Sequence, residues 1–198
     1  VAYLAPVPPQ RSHDRHRVKH RISVLNGLIN AFVVFSSEFG GRPTGLQMES
    51  WVVENVSRGG FGALIGSISG EWMKVGVLLA IQPEGGDNWL LGIVRRYHRE
   101  SGGEAKVGIQ TLATKAVALE CRPRSASSYG AAATLPALLI EEGNPPGEVR
   151  MVLPVNSFDL RESLEYQLDG RRFLLNPVAL IEQMADYEVA RYRQVVDA

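Results

Sequence analysis

The sequence predicts a mainly β protein: an antiparallel β-barrel, then a second small β-unit, then a C-terminal α-helix. Three observations carry this. Through about residue 115, short runs rich in β-branched and aromatic residues alternate with Gly, Pro, Asn and Ser clusters about every ten positions, the spacing of strands in a barrel or sandwich. That rhythm lapses over 113–134 and resumes beyond it. Near the end, Asn176 suits a helix N-cap and Pro177 a first helical position, and Leu180, Met184, Tyr187 and Arg191 fall on one helical face, so the pattern predicts a helix over 177–195.

In chain order, residues 1–14 form a proline-rich lead-in, with Pro6, Pro8 and Pro9 favouring an extended chain. A basic arm overlaps it: Arg11, Arg15, Arg17, Lys19 and Arg21, with His13, His16 and His20, against the single acid Asp14. Such an arm suits phosphate, because the planar guanidinium binds phosphate bidentately. Solvated lead-in is the plainer alternative. Arg11 and Arg15 share the four-residue spacing of Arg17 and Arg21.

The first strand is expected from residue 22. Asn26-Gly27 is a candidate hairpin turn, and Ile29–Phe35 is apolar enough for a second buried strand. Ser36–Met48 reads as a loop. Trp51–Val56 is a half-buried strand that runs into Ser57-Arg58-Gly59-Gly60, a turn that fits either a plain hairpin or a backbone anion site. Further strands are expected at Ala63–Ile68, Val75–Gln82, Trp89–His98 and Lys106–Leu112, closing a barrel over 15–120.

Arg122–Ala133 reads as a loose linker. The second unit, 134–198, takes strands at Leu135–Glu141, Glu148–Leu153 and Ser163–Leu168, with Asp169-Gly170 turning the chain into Arg171–Leu174. These strands make a small unit of their own or extend the first sheet.

Composition bounds the function. The 198 residues suffice for one large or two small domains, and 45% hydrophobic content with 21% charged supports packed cores. Lys plus Arg and Asp plus Glu balance at 21 each, which argues against a polycation that coats nucleic acid. The lone Cys121 rules out an internal disulfide and any cysteine-cluster metal site, and fits a reducing compartment. No run reaches the roughly 18–20 apolar residues of a helical membrane span, and no secretory signal stands out. Beginning at Val1, the chain reads as a piece of a longer protein.

Arg17-x-x-x-Arg21 before a strand, followed by Asn55-x-Ser57-x-x-Gly60 at a strand end, resembles the RxxxR and [D/N]xSxxG signatures of the PilZ family. Gly92–Arg96 and Val107–Gln110 resemble that family's late strands, so the resemblance spans about residues 15–115. The interval from Arg21 to Asn55 is longer than the family's, which an enlarged hairpin would accommodate. The resemblance implies a PilZ-like barrel that binds the bacterial second messenger cyclic di-GMP in the cytoplasm as a non-enzymatic receptor. His13, His16 and His20 have no carboxylate or thiolate cluster beside them and fit no metal-ligand spacing, so no metal or other cofactor is expected. Arg17 and Arg21 would hold phosphates and guanine edges, with Arg15 auxiliary. Asn55 and Ser57 would supply short polar groups, and Gly60 would admit the ligand to the backbone. Folding the basic arm over the barrel mouth would be the switch, passed to a protein partner or an upstream domain. Two other classes compete: a PilZ-like interaction module that has lost the nucleotide, and a barrel that binds single-stranded nucleic acid. The latter lacks basic residues interleaved with strand aromatics.

Overall fold

In a computed structural model, residues 20–37, 45–67, 71–125 and 134–197 are described. They form two closed six-stranded antiparallel barrels and one short helix. The first barrel holds β1 (His20–Asn26), β2 (Glu49–Ser57), β3 (Gly60–Ile65), β4 (Leu78–Pro83), β5 (Leu90–Arg99) and β6 (Ala105–Ala113), in the order β1-β2-β3-β6-β5-β4. The second holds β7 (Val117–Pro123), β8 (Leu135–Ile140), β9 (Glu148–Pro154), β10 (Leu164–Leu168), β11 (Arg171–Gln183) and β12 (Tyr187–Asp197). Its order, β7-β8-β9-β12-β11-β10, is the first order advanced by six. The second unit is therefore a β-unit of its own, not an extension of the first sheet, and it repeats the topology of the first barrel.

Period-two alternation builds both interiors. Val24, Trp51, Ala63, Leu79, Val94 and Val107 point into the first barrel, and Cys121, Leu139, Met151, Leu164, Ala190 and Tyr192 into the second. Asp169 and Gly170 turn β10 into β11 with φ of 51° and 75°, the left-handed pair that a two-residue hairpin demands.

A third core lies between the barrels. Outward residues Leu78, Ala80, Leu91 and Ile93 of β4 and β5 cluster with outward Leu138, Ile140, Val152 and Val189 of β8, β9 and β12. The helix α1 (Leu28–Ser36) is wedged into this junction by Leu28, Ala31 and Val34. The strand expected at Ile29–Phe35 is this helix. A short run that is apolar on every side has no period to tell strand from helix, and the gap between two barrels takes up one face of the helix, Leu28, Ala31 and Val34, while Ile29 and Val33 stay exposed. Gly27, at φ 89°, starts α1 instead of turning a hairpin, and its N–H donates to the Leu78 carbonyl at 2.8 Å. The long interval before β2 is thus partly taken up by α1.

The helix expected over 177–195 is replaced by the long hairpin β11–β12. The 3.6-residue spacing of Leu180, Met184, Tyr187 and Arg191 competes with a two-residue alternation, Ala190 and Tyr192 inward against Val189 and Arg191 outward. Pairing of β12 to both β9 and β11 settles the contest. Pro177 sits where the β11–β12 register slips, between Pro177 and Ala179, one of the few places a strand tolerates proline. β7 also falls inside the stretch whose rhythm lapses. It pairs β8 over Val117–Cys121 and belongs to the second barrel.

Among the described residues no helix is long and apolar enough to cross a membrane.

Candidate functional site

The β2–β3 hairpin turns in two residues, with Ser57 opposite Gly60. Ser57 Oγ donates to the Gly60 carbonyl oxygen at 3.2 Å, closing the turn on itself. Gly60 is needed for a reason internal to the sheet. A Cβ there would lie 2.0 Å from the Ile109 carbonyl oxygen of β6, so any side chain would force the two strands apart.

Two bulges then shape the outer wall. Val53 pairs with Ala63 but Asn55 pairs with Gly62, leaving Glu54 as the extra residue. Counted from the inward side of Val53 and Ala63, plain alternation would turn Asn55 inward. The bulge returns it to the outer face. On β5 the register slips again between Val94 and Arg96, so Arg95 and Arg96 both lie outside while Val94 stays in the core. Between the bulges, outward positions of β3 and β6 carry Gly60, Gly62 and Gly108. Asn55 lies over Gly62, 2.9 Å from where a Cβ would stand, and Arg96 Nε lies 3.2 Å from a Cβ on Gly108.

The result is a groove of about 900 Å³ with a floor of glycine backbone, within the size range of small-molecule sites. Arg95, Arg96 and Lys106 supply positive charge against Glu54, and His98 stands beside them. Arg95 is held by two acceptors: its Nε donates to Gln110 Oε1 at 2.7 Å and its Nη2 to Glu182 Oε1 at 2.6 Å. The groove lies on the outer wall of the barrel, not at its mouth.

The hairpin residues Asn55, Ser57 and Gly60 meet in this groove. Arg21 does not join them. It pairs with Val52, reaches back to Ser50 Oγ at 3.2 Å and lines a neighbouring depression. Arg15 and Arg17, with His13 and His16, lie outside the described residues. The sequence reading did not single out Arg95, Arg96 and Lys106. Their one legible signal was Arg95-Arg96 itself, two consecutive cations in a strand, which in regular alternation would put one of them inside.

The second barrel repeats the topology without the groove. The corresponding outward positions of β9 and β12 hold Glu148, Arg150, Arg191 and Arg193 in place of glycines. Arg191 donates to Glu148 Oε2 through Nε at 3.0 Å and Nη2 at 2.7 Å, and Arg150 Nε donates to Asn144 Oδ1 at 3.0 Å. Among the described residues no cluster of three or more His, Cys, Asp or Glu side chains could hold a metal ion.

Burial pushes the Cys121 thiol up to about 12, which removes the thiolate a nucleophile needs. Glu142 is held below the usual carboxylate range, chiefly by the Thr114 hydroxyl that donates to it where β6 leads into β7.

No family model, curated protein or solved structure matches this chain.

Proposed function

We propose that this chain is a PilZ-like receptor for cyclic di-GMP, with the ligand seated in the groove on the first barrel. The observation that carries the reading is the convergence of Asn55, Ser57 and Gly60 on a groove lined by Arg95, Arg96 and Lys106, where Asn55 and Arg96 cross the glycines of its floor. A ligand with two phosphates and two guanines asks for these things: cations for the phosphates and short polar groups for the base edges. The basic arm joins at the right place. β1 begins at His20, which pairs with Val53, two residues from Asn55. Arg17 is three residues upstream, and three extended residues span about 10 Å. By that sequence distance Arg17 is our candidate for the first phosphate contact, with Arg15 auxiliary. Arg21 takes part by exchanging Ser50 for the ligand. The groove offers donors to hold an anion, so the reading is of binding and not of catalysis. It places the chain in the bacterial cytoplasm, where the second messenger acts, and passes the signal to a protein partner or a further domain.

Calorimetric titration of cyclic di-GMP into the chain, with GTP as control, tests this. The expected result is binding at micromolar or lower concentration that Arg17→Ala or Asn55→Ala weakens at least tenfold, the loss of one or two charge-assisted or buried hydrogen bonds. Arg21→Ala should weaken it less. A folded protein that binds no cyclic di-GMP would sink the reading. The interaction module would then take its place, a reading the Arg21–Ser50 contact favours, since it turns one expected phosphate ligand away from the groove.

A further inference from the structure

The geometry points to a composite ligand site: Arg95 is a phosphate-binding residue, and Glu182 of the second barrel is the residue that positions it. This rests on the receptor reading above and extends it beyond the two sequence signatures.

Arg95 is the extra residue of the β5 bulge, and it lines the groove beside Arg96. Its two anchors differ in origin. Gln110 lies on β6, in the groove itself, whereas Glu182 lies on β11, in the other barrel. The guanidinium is planar and rigid, so two fixed donors leave the remaining N–H groups of the fork in a fixed direction. A phosphate arriving in the groove meets an arginine that has already lost its rotamer freedom.

The ion pair is made to hold, not to yield. Its side chains are only 33% and 25% exposed, and the second carboxylate oxygen, Glu182 Oε2, is buried with no hydrogen-bond partner among the described residues. Pulling Arg95 away would strand a half-buried carboxylate, which is costly. The ligand therefore gains more from the free donors of a fixed Arg95 than from capturing the whole side chain.

The surroundings brace the same spot. Val75 lines the groove, and the adjoining Gly76 accepts a hydrogen bond from the buried Tyr187 hydroxyl of β12 at 2.6 Å. Gly76 in turn donates to the Val94 carbonyl oxygen, one residue before Arg95, at 2.7 Å. The second barrel thus touches the groove wall at two adjacent points, through Glu182 and through Tyr187. Its own equivalent face is filled by Glu148 and Arg191, so it contributes to the first site in place of carrying a second.

Titration of cyclic di-GMP into the full chain over a series of salt concentrations, with melting temperature followed in parallel, decides the matter. Arg95→Ala should weaken binding about tenfold, as expected for a charge-assisted contact, and flatten its salt dependence. Arg95→Lys should keep the salt dependence and recover only part of the affinity, because the fork is gone. Glu182→Gln should weaken binding several-fold with the salt dependence kept. The reversed pair, Arg95→Glu with Glu182→Arg, should melt like the wild type yet bind no better than Arg95→Ala, because the ion pair is restored with the cation on the wrong barrel. Wild-type affinity in both Arg95→Ala and Glu182→Gln, while Asn55→Ala is impaired, would overturn the composite site and leave the receptor standing. Tighter binding by Glu182→Gln would overturn it too, making Glu182 a competitor of the ligand. A wild-type protein that binds nothing would overturn both readings.

Discussion

At the scale of single residues, the second signature has a double life. Gly60 was legible as a position that must stay bare, but the bareness serves the sheet first: β6 passes so close that the Ile109 carbonyl occupies the place of a Cβ. Gly60→Ala should cost about 2–3 kcal/mol, the scale of overpacking in a close-packed interior, read as a lower midpoint in urea unfolding. An unchanged midpoint would show that β3 and β6 can separate there. Ser57 likewise donates its hydroxyl to the Gly60 carbonyl, which closes the turn on itself. Asn55 is the signature residue whose side chain most directly faces the groove. The arginines on the opposite wall left only the adjacent pair Arg95-Arg96 as a trace, because a bulge is a feature of two strands in register and one strand's sequence does not fix it.

At the scale of elements, the strands of the first barrel could be read from the sequence nearly in full, since alternation and turn residues are local signals. The errors came where partners decide. Ile29–Phe35 is helical because it fills a gap between two barrels, and residues 177–195 are strands because β11 and β12 pair with each other and β12 also pairs with β9. The helical spacing there was real but weaker than two ladders of hydrogen bonds. The junction that α1 fills should be energetically central. Leu138 is fully buried among residues of both barrels, so Leu138→Ala should destabilise the protein by about 2–5 kcal/mol. If the barrels were merely adjacent, the same substitution would shift the melting of the second barrel alone, and two calorimetric transitions would separate.

At the scale of the whole molecule, one core in each barrel and one between them hold the protein together, and burial links its stability to pH. The Cys121 thiol is pushed up to about 12, and the phenols of Tyr187 and Tyr192 are raised as well, chiefly by burial. In each case the neutral, protonated form is favoured in the native state, so the native protein holds its protons where the unfolded chain releases them. The stability tied to Cys121 is present in full below the thiol's ordinary value near 8.5, and is lost as pH rises through about 12. Unfolding free energy measured from pH 7 to 11 should therefore fall once the pH passes about 9. Cys121→Ala should soften that fall. A flat profile would mean that these groups ionise in place.

The strands of the two barrels do not interleave along the chain: β1 to β6 are complete at Ala113, before any strand of the second barrel begins. During synthesis, the first barrel can close while the second is still being made. At that moment Leu78, Ala80, Leu91 and Ile93 still lack the second-barrel residues Leu138, Ile140, Val152 and Val189 that pack on them in the finished fold. At ordinary translation speeds, on the order of 5–20 residues per second, the interval lasts several seconds. For that time the nascent chain carries a finished barrel with a partly uncovered apolar flank, so the newborn protein is most exposed to self-association, and most in need of a chaperone, after its first barrel has folded.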